Sequence, residues 1–308
     1  NDAGQRLDRF VGKAVPLLPE SLLQKYIRLK RIKRNGKGAK RDVRLVEGDV
    51  LQLYINDEFF ERPTEENAWL KIATPRLDIV YEDENILLAD KKPGVLCHSA
   101  GEWSWDTLIS NIQAYLRQSG EWDPKAENAF TPALCNRIDR NTGGIVIAAK
   151  NAEALRILNQ KIKDRELEKK YLCIVHGTPK PAEGRLEGYL FKDAKENRVY
   201  ITQKPQPGAK TAVTLYKTLQ SRNGLSLVEC ELITGRTHQI RAQMAAAGHP
   251  LLGDGKYGKL DKRYDRKFQA LYSYSLRFRF TTDGGILSYL DGRSFRVEDV
   301  DFVHEYFP

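Results

Sequence analysis

Residues 136–149 read NRIDRNTGGIVIAA. The first nine pack one carboxylate, Asp139, between two arginines, Arg137 and Arg140, and close on Thr142-Gly143-Gly144. Five aliphatic residues follow without a break: Ile145, Val146, Ile147, Ala148 and Ala149. Glycines permit a sharp backbone turn, and a short continuous apolar run suits a buried strand. The stretch reads as a loop delivering the chain into the core, with an acid held at the rim of a sheet. Such an acid is a candidate catalytic group. The same residues also suit an ordinary turn, because Asp139 and Asn141 are turn formers and the arginines can be solvated. The segment alone supports both readings.

On either side the pattern is strand after strand. Upstream, 79–81 and 86–89 flank a Glu-Asp-Glu-Asn turn, and Lys91-Lys92-Pro93-Gly94 turns into Val95-Leu96-Cys97-His98. Leu108, Ile109, Ile112, Tyr115 and Leu116 form a helical stripe within 105–116. Downstream, 151–162 reads as an amphipathic helix and 169–175 as a strand with a polar start. Strands 211–219 and 225–232 are joined by Ser221-Arg222-Asn223-Gly224, a hairpin turn. Residues 234–250, TGRTHQIRAQMAAAGHP, place Ile240, Met244 and Ala247 at i, i+4 and i+7. That is the core face of a helix stopping at Gly248, with Arg236 at its start. Alternation returns over 271–280. Many strands with few helices indicate α+β, a largely antiparallel mixed sheet with flanking helices.

Residues 1–57 look like a small α/β module of their own. Leu7, Phe10, Val11 and Ala14 share one helical face, and Pro19-Glu20 opens a second helix. Beyond it, RLKRIKRNG (28–36) begins a basic hairpin, and a strand over 50–55 closes the module. Between Lys25 and Arg44 stand ten basic residues (25, 28, 30, 31, 33, 34, 37, 40, 41 and 44) against one acid, Asp42. That density favours a phosphate backbone over a merely solvated face, which makes Arg28, Lys30, Arg31, Lys33 and Arg34 candidate RNA contacts. Residues 58–75 turn acidic and polar and read as a linker. The catalytic domain is expected over 76–308.

The net charge of +9 agrees with a polyanionic partner. No apolar run reaches 18 residues, so no membrane span is expected. The first residues, Asn-Asp-Ala-Gly-Gln-Arg, are neither a signal nor a transit peptide, and without an initiator Met the chain reads as trimmed. Cys97, Cys135, Cys173 and Cys230 are widely spaced and lack a CxxC pair. Four buried, reduced thiols of a cytoplasmic protein are expected, with no zinc site.

Three polar residues sit at strand or helix ends: Asp139, Tyr171 and Arg236. With their neighbours, they carry a resemblance. KPGVLCH (92–98), NRIDRNTGG (136–144), Lys170-Tyr171 and GRTHQIRAQMAAAGHPLLGDGKYG (235–258) look like the four ordered motifs of the RluA-type pseudouridine synthases. Asn136 stands where that family usually has His, and Gly143 where it usually has Ser. The helix–helix–hairpin order of 1–57 resembles the small RNA-binding domain first named from ribosomal protein S-four. Together they resemble the subgroup that modifies large-subunit ribosomal RNA, with transfer RNA as the other RNA class.

The resemblance implies isomerisation of uridine to pseudouridine with no cofactor and no metal; a monomer is expected, though not from the resemblance. Asp139 acts as nucleophile or as base at the sugar 2′ position; both remain open. Arg236 is the expected cation that aligns it. Tyr171 stacks on the base and serves in proton transfer, and Ile240 floors the pocket. Arg137 fills the space left by the flipped nucleotide. A non-catalytic RNA-binding or ribosome-assembly factor that retains the fold is the alternative. The retained acid, tyrosine and arginine argue against it. A glycosidase needs a second carboxylate, and none partners Asp139 in the sequence.

Overall fold

The computed structural model describes residues 4–100, 104–124, 130–193, 196, 198–264 and 266–308. The chain divides into two units: 1–76 with 98–127, and 77–97 with 128–308.

In the first unit, apolar spacing sets two short helices. Helix α1 (Leu7–Ala14) buries Leu7 and Val11, and α2 (Glu20–Arg28) buries Leu23, Tyr26 and Ile27. Strands β1 (Ile32–Arg34), β2 (Lys37–Gly38) and β3 (Leu51–Leu53) form an antiparallel sheet in the order β2-β1-β3. Asn35 and Gly36 both take positive φ, 50° and 77°, the mirror-image turn that a two-residue hairpin prefers.

The boundary differs from the expected linker. Residues 58–75 are built into this unit: Phe59 and Leu70 belong to the same buried cluster as Leu7, Val11 and Ile32. The helix expected over 105–116 is α3 (Leu108–Ser119), which Thr107 caps by accepting the Ser110 N–H. It too belongs to this unit rather than to the second. Composition conceals this, because a few buried apolar side chains fix the segment while its many acids face solvent.

The second unit carries an 11-stranded sheet. Its strands are β4 (Ile79–Glu82), β5 (Ile86–Lys91), β6 (Ala133–Leu134), β7 (Gly143–Ala149) and β8 (Leu167–His176). They continue with β9 (Glu183–Asp193), β10 (Arg198–Thr202), β11 (Lys210–Arg222), β12 (Leu225–Leu232), β13 (Leu271–Phe278) and β14 (Ser294–Arg296). The main path runs β10-β9-β11-β12-β8-β13-β7-β5-β4, with β14 on β13 and β6 on β7. Among the described residues only the β13–β7 pair is parallel, so the sheet is mixed but largely antiparallel, as expected. Among the described residues, helices α4 (Ala152–Lys163), α5 (Gln239–Ala246) and α6 (Asp301–Tyr306) flank it.

Every residue of β7 is buried. Its Ile145, Ile147 and Ala149 pack on Ala154 and Leu158 of α4, one face of the alternation. Among the described residues, no helix is long and apolar enough to cross a membrane. All four cysteines are free; Cys97, Cys173 and Cys230 are buried, whereas Cys135 is only half-buried.

Candidate active site

The central loop is tied down at both ends. Asn136 Oδ1 accepts the Ile147 N–H at 2.8 Å, anchoring the loop start to β7. At the other end Gly144 takes φ 113°, and a Cβ there would lie 2.2 Å from the Ser273 carbonyl oxygen, so only glycine fits. Gly143 is also forced. A Cβ would meet the Tyr272 ring at 2.4 Å, and that ring is pinned because its hydroxyl donates to Asp90 at 2.5 Å. Both departures from the family pattern therefore have local structural reasons.

Between these anchors, the Asp139 carboxylate is about a quarter exposed, with its side chain at 23%. Its Oδ2 accepts from Arg241 Nη1 at 2.8 Å, and His238 Nε2 stands 3.7 Å away. Arg241 is itself held by a two-pronged pair: Nε to Asp254 Oδ2 at 2.6 Å and Nη2 to Oδ1 at 2.9 Å. Burial works against the charge on Arg241, but Asp254 and Asp139 outweigh it and keep its pKa above the ordinary guanidinium value. Burial likewise raises Asp254, yet Arg241 and the Lys256 and Tyr257 amides bring it below the usual carboxylate range. The result is a fixed cation with one guanidinium nitrogen aimed at Asp139.

His238 caps α5 in the left-handed conformation, φ 55°. Burial lowers its pKa, against the pull of Asp139, so the imidazole is neutral at pH 7. The Tyr257 hydroxyl accepts the Val199 N–H at 3.0 Å and lies 2.8 Å from His238 Nδ1. Donation of the Tyr257 proton to Nδ1 leaves the imidazole proton on Nε2, facing the carboxylate; the other tautomer would set a lone pair against it.

Tyr171 lies on β8, 6% exposed. Burial, with the Asp139 charge acting in the same direction, pushes its phenol up to about 12. It packs in one cluster with Ile240, Met244 and the half-buried Ile138, the residue before Asp139. Asp139, Tyr171 and Ile240 are thus brought together, as the motifs imply.

Arg236 is not the aligning cation. It is exposed, and its Nε donates to the Thr211 carbonyl at 3.2 Å. The reason is helical phase. α5 begins at Gln239, three residues beyond Arg236, so Arg241 rather than Arg236 turns into the buried half beside Ile240. Ala247, expected on the core face, is the exposed C-cap residue. Two buried glutamines fix that phase. Gln239 Nε2 donates to Val213 O and Thr214 Oγ1, and Gln243 Nε2 donates to Leu186 O and Ala212 O.

Arg137 is exposed two residues before Asp139. In the first unit, Arg28 and Lys30 line a cleft of about 630 Å³ with Lys40 and Arg41. Arg31 stacks over Tyr26 and Lys33 over Tyr54, with centroid distances of 4.5 and 5.1 Å. Arg34 differs from the rest: Asp49 holds it at 2.7 Å, which neutralises one of the expected RNA contacts. Sequence reasoning missed Arg241, Asp254, His238 and Tyr257. The signal for Arg241 was its place beside a core isoleucine, since a buried guanidinium demands acids.

Residues 85–246 match the family described as RNA pseudouridylate synthase. An uncharacterized RNA pseudouridine synthase of Mycoplasma genitalium is 33% identical over 281 residues, 89% of this chain and 85% of the relative. The ribosomal large subunit pseudouridine synthase D of Neisseria meningitidis serogroup A is 30% identical over 298 residues, 93% and 75% of the two chains. Among solved structures, Human RNA Pseudouridylate Synthase Domain Containing 4 superposes with a TM-score of 0.56 at 20% identity, covering 73% of this chain and 91% of that one, a likeness of fold. With these matches spanning the loop, the tyrosine strand and α5, the chain belongs to the RNA pseudouridylate synthase family.

Proposed function

We propose that this chain isomerises uridine to pseudouridine in large-subunit ribosomal RNA, with Asp139 as the catalytic carboxylate. The observation that carries the reading is the Asp139–Arg241 contact at 2.8 Å, with Asp139 on a partly exposed loop and the buried Tyr171 of β8 near enough to feel its charge. The reaction breaks the bond from sugar carbon one to uracil nitrogen one and forms the bond to carbon five. The carbon-five proton leaves and nitrogen one gains a proton, so no electrons are exchanged with an outside reagent. Whether Asp139 attacks covalently or removes the 2′ proton, the ionised form is needed, and Arg241 holds that form in line.

With its phenol pushed up to about 12, Tyr171 stays protonated at neutral pH. Its role is a packing face and hydroxyl donor against the base, rather than a phenolate base. Ile240 supports it from α5. Arg137, exposed on the same loop, takes the place of the extruded nucleotide, whose flipping costs a few kcal/mol. The basic face of the first unit, through Arg28, Lys30, Arg31 and Lys33, supplies salt-sensitive RNA affinity as an S-four-like module would. We read the active species as a monomer working in the cytoplasm, where a ribosomal RNA substrate is available. A non-catalytic assembly factor is not favoured, because the acid, the tyrosine and a guanidinium all meet in one place.

A carbodiimide map of pseudouridine in total RNA, with and without this gene, tests the substrate. Loss of signal at one or a few positions of large-subunit ribosomal RNA is expected. Loss confined to transfer RNA would overturn the ribosomal reading.

A further inference from the structure

Strand β10 ends the main path of the large sheet and pairs with β9 on one side. Its other side is turned toward the site. Val199 N–H donates to the Tyr257 hydroxyl at 3.0 Å, so that amide is not spent on β9. Val199 is buried in one cluster with Ala242 of α5, and Tyr257 packs against the same cluster. The edge strand is thereby joined to the helix that carries Arg241, and Arg198 is its first residue.

Arg198 is half-buried and set between two rings. Its guanidinium carbon stands 5.2 Å from the Tyr257 centroid and 5.8 Å from that of Tyr200, which is 42% exposed. The Arg241 guanidinium carbon also lies 5.2 Å from the Tyr257 centroid. Arg198 and the cation that aligns Asp139 thus share one ring, and their guanidinium carbons are no more than twice that distance apart.

An arginine withdrawn from solvent ordinarily meets an acid. Among the described residues, Arg198 has these ring contacts and neither a hydrogen bond nor an ion pair. Asp193 is its cross-strand partner on β9, yet no ion pair forms between them. Glu196 accepts from the Tyr200 hydroxyl instead. Stacking uses the flat face of a guanidinium and leaves its five N–H donors at the rim. Those donors match the oxygens of a phosphodiester in charge and in shape. Arg137 and Arg140, on either side of Asp139, are exposed as well, so an anionic strand meets a positive entrance.

We propose that Arg198 grips one phosphodiester of the substrate strand next to the uridine held at Asp139, with the Tyr257 ring setting its distance from that acid. The proposal rests on this chain being an RNA pseudouridine synthase. A phosphate contact adds to RNA affinity before and during the reaction alike, so its loss falls on KM more than on kcat. It also releases a counterion, which a merely structural stack does not.

The test has two arms. The first measures binding of unmodified large-subunit ribosomal RNA, transcribed in vitro, by the wild type, R198Q and R198K over about 0.05–0.2 M salt. R198Q is expected to bind roughly tenfold more weakly at the lower salt, with a log–log slope reduced by about 0.7. R198K keeps the charge without the fork; it is expected to keep the wild-type slope and recover part of the affinity. In turnover, R198Q is expected to raise KM about tenfold and to lower kcat less than about threefold. Wild-type affinity and slope in folded R198Q overturn the proposal. Equal weakening in R198Q and R198K with the slope unchanged marks a structural stack and overturns it too.

The second arm locates the phosphate by ethylation interference on the same transcript, since an ethyl group removes a phosphate's charge. Ethylation beside the uridine that becomes pseudouridine is expected to weaken binding by the wild type and to leave binding by R198Q unchanged. Absence of wild-type interference at the phosphates adjoining that uridine overturns the proposal, whatever the variants do. If the wild type formed no pseudouridine, the functional reading would fail, while the salt slopes would still report the Arg198 grip on their own.

Discussion

At the residue scale, the site depends on how one guanidinium divides its five donors. Arg241 commits two nitrogens to Asp254 and one to Asp139, so its plane is set before substrate arrives. Lysine could supply the charge but not the fork. R241K is therefore expected to lower turnover about a hundredfold, measured under single-turnover conditions. R241M, which leaves Asp254 buried and unpaired, is expected to lose about 3–5 kcal/mol of stability in urea melts. R236A removes a surface bond to a carbonyl and is expected to change turnover about twofold at most. Equal losses for R236A and R241K would restore Arg236 to the site. Asp139 and Tyr171 were legible in the sequence because each sits in a short motif of fixed spacing. The choice between two arginines was not, because it depends on where a helix starts. That start is set by Gln239 and Gln243 bonding to distant strands.

At the element scale, β7 decides how the loop meets the sheet. The apolar run after Gly144 announced this strand, and every residue of it is buried. Its partners were not announced: the parallel contact with β13 sets Tyr272 against Gly143 and Ser273 against Gly144. G143S is expected to cost about 1–3 kcal/mol through overpacking against the Tyr272 ring. Shortening that ring by Y272L is expected to relieve the clash, so a double-mutant cycle should show strong coupling; additive losses would contradict it. G144A is expected to be worse than G143S, because its Cβ meets backbone that cannot rotate away. Residues 58–75 teach the opposite lesson. Their acids and prolines read as a tether, yet Phe59, Ala68 and Leu70 are buried, and three apolar side chains outweigh a polar majority.

At the scale of the whole molecule, the excess of nine positive charges is unevenly spread. The cleft in the first unit gathers Arg28, Lys30, Lys40 and Arg41 against Asp42 alone. If about six phosphates are contacted, log affinity should fall with log salt at a slope near −4 on the single-strand scale. Replacing these four cations by glutamine is expected to reduce the slope by about 3 and to raise KM more than it lowers kcat. An unchanged slope would remove the first unit as the RNA anchor. The basic density was plain in the sequence. Its partial neutralisation, with Arg34 drawn to Asp49, depends on a contact fifteen residues away that no local pattern reveals.

The most direct test of the central claim is single-turnover pseudouridine formation by D139N on large-subunit ribosomal RNA, with binding measured in parallel. The substitution preserves shape while removing the ionised oxygen that Arg241 aligns. No product is expected, with RNA affinity kept within about tenfold. Pseudouridine formed by D139N at the wild-type rate would contradict the account.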